Sequence, residues 1–321
     1  MSLFQLRQSL LLLLTAFIWG CTFVAQSTGM DHVSPFTFTA SRTLLGCLVL
    51  LPVVAFMRAK LRREKPQEWA KRQTPEYKRT LLLGGLLCGL CLFGGESLQQ
   101  FGLFHDTEAG KAGFITSLYI VLVPVIGLLL GSRSRLMIWA SVAVACVGLW
   151  FLCIPPEGIS IRLGDLYVLL CALVFSLHIL VIGRFVTKVN GIELSVAQFA
   201  VGGILGLIAM PFQALPTWEG WLGALPAILW AGIMSNGIAY TLQIVGQRGM
   251  NDTAASLIMS LESVFSVLAG WVVLGEVLSG RELAGCIIMA AAVVMAQLPE
   301  RKTREPAALR AGSDADGSSS R

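Results

Sequence analysis

LLLGGLLCGLCLFGGESLQQFGLF, residues 81–104, is an apolar run that carries a single charged residue, Glu96. About 20 apolar residues in a helix cross the hydrocarbon core of a bilayer. The run therefore predicts a membrane-spanning helix. It also places Glu96, Gln99 and Gln100 inside the membrane, where polar groups are costly and need a partner or a cavity.

The rest of the chain repeats this pattern of long apolar runs. Hydrophobic residues make up 55% of the 321 residues and charged residues 13%, which is about half the charged share of a soluble domain. A spanning segment has to satisfy its own backbone hydrogen bonds, so helices are expected. The sequence thus predicts an all-α integral membrane protein. Its ten predicted transmembrane helices cover 8–27, 34–56, 80–103, 109–130, 135–153, 164–185, 193–213, 222–246, 253–274 and 281–298.

The basic residues predict how the helices are oriented. The segment 57–79 carries nine Lys and Arg residues and is expected to be a cytoplasmic loop. With that loop inside, 20 of the 24 basic residues fall on the cytoplasmic side, three fall on the opposite side, and Arg42 lies within the second span. Both termini are then cytoplasmic. The polar segment 299–321 is predicted to be a disordered cytoplasmic tail.

The two halves of the chain resemble each other. LTAFIWGCTFV (14–24) aligns with LCALVFSLHIL (170–180), and GKAGFITSLYIV (110–121) aligns with TAASLIMSLESV (253–264). The predicted repeats are 1–156 and 157–298, each with five helices. Because five is odd, the second repeat enters the membrane from the opposite side. Inverted repeats are typical of secondary transporters, whose binding site lies near the bilayer midplane. The repeat therefore predicts transport by alternating access.

The sequence is also similar to a known family. Trp19-Gly20, the run from QQFGL at 99–103 to TEAGKAGFITSLYIVLVP at 107–124, and Leu261-Glu262-Ser263-Val264 resemble the EamA-type family of the drug/metabolite transporter superfamily. The resemblance covers about residues 8–298. It implies a multi-pass carrier of the bacterial plasma (inner) membrane that exports amino acids or other small metabolites through a central cavity. The family often has proline after the glutamate of the ninth helix, where this chain has Ser263.

Polar residues within the spans are the candidates for the site. Glu96, Gln99 and Gln100 share one helix face because their spacing is i, i+3, i+4, and Asn236, Tyr240 and Gln243 have similar spacing on the eighth helix. The predicted substrate-binding or cavity residues are Trp19, Arg42, Glu96, Gln99, Gln100, Tyr119, His178, Asn236, Tyr240 and Gln243. The predicted coupling or gating residues are Glu96, Glu262, Ser117 and Ser260.

Several roles stay open at the level of the sequence. Each amide is as consistent with a hydrogen bond between helices as with a cavity wall. Arg42 is either a structural residue or a clamp for an anionic substrate, and its pairing with Glu96 is undecided. Glu262 is either a proton-coupling or amine-binding carboxylate or a structural or gating residue. The fourth and ninth helices are expected to pack near the centre, with a kink at Pro124.

Two other functions compete with an exporter. A nucleotide-sugar or phosphate-ester exchanger should have several basic residues in its cavity, and Arg42 is the one basic residue available. An integral membrane lipid-modifying enzyme would need a catalytic cluster, and the sequence indicates none, so no enzyme activity, cofactor or metal is expected. The expected partners are a small-molecule metabolite, the lipid bilayer and protons as a coupling ion, without nucleic acid. A monomer and a homodimer are both left open.

Overall fold

Ten long helices build the protein in a computed structural model that describes residues 3–132, 135–154, 162–269, 271–272 and 279–298. The predicted repeat boundary at 156/157 and the predicted tail at 299–321 lie outside the described residues. In chain order, the helices α1 to α10 span Leu3–Met30, Pro35–Glu64, Pro75–Phe104, Ala109–Leu129, Leu136–Cys153, Leu163–Phe185, Gly191–Ala209, Trp218–Gln247, Asp252–Ala269 and Gly280–Gln297. Within the described residues, nine of them are long and apolar enough to cross a membrane, and α5 is a shorter apolar helix.

The basic segment 57–79, which connects the second and third spans, is largely helical. Helix α2 continues to Glu64, a short helix covers Pro66–Gln73, and α3 begins at Pro75. Proline suits the first turn of a helix because the missing N–H has no partner there. The Thr74 hydroxyl accepts a hydrogen bond from the backbone of Tyr77 and so caps α3. Two prolines therefore mark the helix starts in this segment.

The packing of the helices is symmetric under exchange of the two halves. Helix α3 packs along α6 and α7, and its counterpart α8 packs along α1 and α2. Helix α9 contacts α1, and its counterpart α4 contacts α6 in the same way. The contacting pairs α2–α7, α4–α9 and α5–α10 each consist of two equivalent helices, so exchanging the halves leaves each pair unchanged. The fold is thus a ten-helix arrangement of two inverted five-helix repeats, as the sequence predicts.

The distribution of polarity is that of a membrane protein. Arg42 is 2% exposed and Glu96 is 0% exposed, whereas Leu82 is 71% exposed and lies on the outer face of α3. Large apolar side chains on the outside suit lipid, and polar groups inside bind one another. The core of the molecule is therefore partly polar, and it lies where the two repeats meet.

Three helices depart from regular α-helix. Helix α4 is interrupted at Leu118, and α9 is interrupted at Ser260 and Leu261. Helix α8 is a π-helix over Trp230–Tyr240. The helix of Tyr119–Leu129 continues through Pro124, and the kink predicted there stays a prediction. The interruption of α4 at Leu118 falls where α4 meets α9.

Candidate functional site

One small cavity of about 30 Å³ lies between the two repeats, which is room for about two water molecules. Helices from both halves contribute to its wall. The lining residues are Trp19, Phe23, Gln26, Arg42, Gln99, Thr116, Tyr119, Phe175, His178, Ile179, Ser235, Tyr240, Gln243 and Glu262.

The wall contains part of the predicted site. The predicted residues that line it are Trp19, Arg42, Gln99, Tyr119, His178, Tyr240, Gln243 and Glu262. Over the described part of the chain, the predicted residues that the wall does not include are Glu96, Gln100, Ser117, Asn236 and Ser260. Substrate binding by the lining residues stays a prediction.

A polar cluster lies directly behind the wall at Arg42. The Arg42 Nη2 atom lies 3.4 Å from Glu96 Oε1, so these two buried residues form an ion pair. The carboxylate of Glu96 also accepts hydrogen bonds from the Thr43 hydroxyl at 2.7 Å and from Asn236 Nδ2 at 2.9 Å. Arg42 Nη1 donates to Gln26 Oε1 at 2.6 Å. Glu96 therefore binds protein groups on all sides and holds the Arg42 charge at the cavity.

The polar residues of α8 do not form one continuous stripe. Asn236 points to Glu96 behind the wall, whereas Tyr240 and Gln243 line the cavity. Between Asn236 and Gln243 the chain passes from π-helix to α-helix, so the angle between these two side chains differs from that of a regular α-helix. A close approach of α2 adds to this. A Cβ atom at Gly46 would lie 2.6 Å from the Cβ of Asn236, so glycine is needed there.

Gln100 also departs from the predicted stripe. It is fully buried, and its Nε2 atom lies 3.3 Å from the sulfur of Met30. Its neighbour Gln99 lines the cavity and donates to the Thr116 hydroxyl at 3.1 Å. Gln100 therefore makes a packing contact between α3 and the end of α1.

Helices α4 and α9 cross at their interruptions. The hydroxyls of Ser117 and Ser263 lie 2.6 Å apart, and Ser263 donates to the carbonyl of Gly113 at 3.1 Å. The Ser117 hydroxyl also lies 3.5 Å from the backbone oxygen of Ser260. Broken helices free backbone groups inside a membrane and are tolerated where they face protein or a cavity. Ser263 supplies a hydrogen bond across this crossing.

Glu262 starts the second half of α9 and lies in the cavity wall. The Ser117 hydroxyl lies 3.4 Å from its Oε1 atom, and Tyr119 lines the same cavity. Within the described residues, no Lys, Arg or His nitrogen lies within 4 Å of it. Gly20 brings α1 against this point, because a Cβ there would lie 2.7 Å from the Glu262 carbonyl oxygen. Glu262 is thus a buried carboxylate without a nearby cation.

Aromatic side chains form another part of the wall. The ring centres of Trp19 and Tyr240 are 4.7 Å apart, and the ring centres of His178 and Phe175 lie 6.0 and 6.5 Å from that of Tyr240. The His178 Nε2 atom shares a hydrogen bond of 3.0 Å with Gln198. His178 therefore combines a packing contact with a place in the wall.

Sequence reasoning missed Gln26, the hydrogen-bond partner of Arg42. The signal was available, because Trp19, Phe23 and Gln26 have the spacing i, i+4, i+7 and share the cavity face of α1. Thr43 was also missed. It follows Arg42 directly, and no spacing rule points from it to Glu96.

Ion pairs join the two halves near both ends of the helices. Arg58 Nε on α2 lies 2.7 Å from the carboxylate of Glu193 on α7, which also accepts from the Tyr77 hydroxyl. On the other side, Lys111 Nζ on α4 lies 2.6 Å from the carboxylate of Asp165 on α6. Each pair connects the first repeat to the second.

Inverted repeats, broken helices and a polar cavity between the halves define a membrane transporter. The chain belongs to the EamA-like transporter family, whose sequence profile matches residues 6–154 and again residues 162–297. The resemblance seen in the sequence is therefore confirmed. The chain is also 30% identical over 303 residues to an uncharacterized transporter of Archaeoglobus fulgidus, and the match covers 92% of this chain and 87% of the relative.

Two further comparisons agree with this family. The chain is 29% identical over 264 residues to the threonine/homoserine exporter RhtA of Salmonella typhimurium (strain LT2), which covers 79% of each protein. A solved crystal structure has a TM-score of 0.69 at 21% identity and covers 90% of this chain and 96% of its own. At that identity the structural match supports the fold alone.

Proposed function

We propose that this protein is a secondary transporter that exports an amino acid or a related small metabolite by alternating access, with the cavity between the repeats as its transport site. The observation that carries the proposal is the wall itself, which presents the cation of Arg42 and the carboxylate of Glu262 to one buried space. An amino acid carries a negatively charged carboxylate that matches Arg42 and a positively charged amine that matches Glu262. The relatives named as threonine/homoserine exporters support the same substrate class.

The remaining wall suits a small side chain. Trp19, Phe175 and Tyr240 supply apolar surface, and Gln99 and Gln243 supply amides. Apolar and aromatic walls with a few placed polar groups are the usual composition of small-molecule sites. A substrate with two charged groups and a short side chain matches this wall.

The charge of the wall argues against a phosphate ester as substrate. Among the described lining residues, Arg42 is the single Lys or Arg, and Glu96 already balances its charge. Phosphate recognition ordinarily uses several charge-assisted hydrogen bonds from cations. A zwitterion fits the nearly balanced charge better than a dianion does.

We assign the coupling role to Glu262 rather than to Glu96. Glu96 is held by an ion pair and two hydrogen bonds and lies behind the wall. Glu262 has hydroxyl neighbours, lines the cavity, and sits where α9 is interrupted. Discontinuous helices often form the ion and substrate sites of secondary transporters. Glu262 is therefore the group that can take up either a proton or a substrate amine.

The ion pairs that join the halves are proposed to act as gates. If the protein lies in a bacterial plasma membrane with the basic segment 57–79 in the cytoplasm, the ion pair of Arg58 and Glu193 lies on the cytoplasmic side. Lys111–Asp165 then lies on the outer side. Alternating access separates the halves on one side at a time, so one pair must open while the other stays closed. Ser117 and Ser260 lie at the crossing of α4 and α9, about which such a movement would turn.

The proposal is tested with purified protein in liposomes that are given a pH gradient. We expect wild-type protein to accumulate labelled L-threonine or L-homoserine against its gradient. Glu262→Gln should lose the pH-driven accumulation, and the exposed control Glu219→Gln should retain it. Unchanged accumulation in Glu262→Gln would show that the coupling assignment is wrong. Wild-type protein that moves neither amino acid would overturn the substrate class.

A further inference from the structure

One edge of the Arg42 guanidinium has no hydrogen-bond partner among the described residues. Nη1 is bound to Gln26 at 2.6 Å. Nε and Nη2 have no hydrogen bond, although both are buried. The 3.4 Å between Nη2 and Glu96 makes an ion pair but is longer than an ordinary N–H···O hydrogen bond of about 2.7–3.2 Å. Buried donors without a partner are rare and point to a ligand.

Glu96 does not draw that edge toward itself. Its Oε2 accepts from the Thr43 hydroxyl at 2.7 Å and its Oε1 accepts from Asn236 at 2.9 Å. Two neutral donors thus occupy the carboxylate, while its charge still balances that of Arg42. Gln26 fixes the guanidinium from the other side, and the ring of Phe38 lies 5.7 Å from its Cζ atom. The side chain is positioned before any ligand arrives.

The free edge has the geometry that carboxylates bind. In a planar guanidinium, the N–H of Nε and one N–H of Nη2 are parallel and can donate to two oxygens of one carboxylate. Such bidentate pairs are shorter and stronger than neutral hydrogen bonds. Arg42 lines the cavity, so the edge belongs to a residue that a substrate can reach.

We propose that Arg42 binds the substrate carboxylate through Nε and Nη2, and that Gln26 and Glu96 are the residues that position it. This inference rests on the proposed function and makes the carboxylate a required part of the substrate. Glu96 keeps the site close to neutral, so it selects a monoanionic carboxylate of a zwitterion over a doubly charged phosphate. Glu262 is left for the amine.

The test compares an acid with its ester. Equilibrium binding of L-threonine and of L-threonine methyl ester is measured on purified wild-type protein and on Arg42→Lys. Lysine keeps the positive charge next to Glu96 but has no planar edge of two donors. The wild type should bind the acid at least about tenfold more tightly than the ester, as expected for charge-assisted hydrogen bonds. In Arg42→Lys the two affinities should approach each other.

A matched control separates this effect from a general effect of the substitution. Arg281 on α10, which lies over the ring of Phe151 on α5, is changed to lysine, and Arg281→Lys should keep the wild-type preference. Binding of the ester by Arg42→Lys shows that the variant is folded. An acid preference that survives in Arg42→Lys would overturn the inference. Equal binding of acid and ester by the wild type would overturn it while leaving amine recognition intact, and failure to bind either compound would overturn the proposed substrate class as well.

Discussion

The buried pair of Arg42 and Glu96 makes a quantitative prediction about stability. Glu96→Gln removes the negative charge but keeps the size of the side chain and one oxygen that can accept from Asn236. Arg42 then stays buried at 2% exposure without an anion beside it. We therefore expect Glu96→Gln to lower the free energy of unfolding, mainly through the charge that is left alone and only slightly through lost hydrogen bonds.

The size of the effect follows from the environment of the pair. Removing one partner of a buried ion pair costs about 3–5 kcal/mol. The retained hydrogen bond and the nearby cavity place Glu96→Gln near the lower limit, at about 3 kcal/mol. Arg42→Gln should cost a similar amount because it leaves Glu96 charged and fully buried. The double variant should be no less stable than either single variant, since neither charge is then unpaired.

The assay is equilibrium unfolding in mixed detergent micelles, followed by tryptophan fluorescence. The two single variants, the double variant and the exposed control Glu219→Gln are compared with the wild type. The coupling energy between positions 42 and 96 should be at least about 3 kcal/mol, at the upper end of the range seen for residues in contact. Single-variant effects that add to within about 0.5 kcal/mol would refute the argument, because independent sites behave in that way.

Other predictions concern the close contacts and the gates. Gly20→Val should lower the free energy of unfolding by about 1–3 kcal/mol, because a side chain at this position meets the backbone of Glu262. The control in the same unfolding assay is Gly110→Val, because a Cβ atom at Gly110 has no neighbour within 4 Å. Equal stability of the two variants would contradict the close approach of α1 and α9. Glu193→Gln should raise hydrogen–deuterium exchange at the start of α7 by weakening its ion pair, and Asp165→Asn should do so at the start of α6. Exchange that is unchanged in both would argue against the gates.

The helices and their symmetry could be predicted from the sequence because they depend on local composition. Apolar runs of sufficient length give the spans, and the alignment of 110–121 with 253–264 places Leu118 opposite Leu261. Both residues turned out to lie at helix interruptions. The repeat thus contained the position of the crossing.

The composition of the wall could be predicted only in part, because it depends on how helices turn and approach one another. The spacing of Asn236 and Tyr240 assumes 3.6 residues per turn, and the π-helix of α8 changes that angle. The partners of Arg42 come from two other helices, with Gln26 on α1 and Glu96 on α3, and Asn236 of α8 binds Glu96 in turn. No spacing along one helix connects these residues. Periodicity identifies the inward face of one helix, but contacts between helices require the fold.

The most direct test of the central proposal is to fill the cavity and measure transport. Ser235 lines the cavity on α8, and Ile238 lies on the exposed face of the same helix. The initial rate of L-threonine exchange is measured in liposomes for the wild type, Ser235→Trp and Ile238→Trp, with folding checked by gel filtration. The proposal predicts that Ser235→Trp blocks exchange while Ile238→Trp exchanges at the wild-type rate. Equal exchange by Ser235→Trp and the wild type would contradict the assignment of this cavity as the transport site.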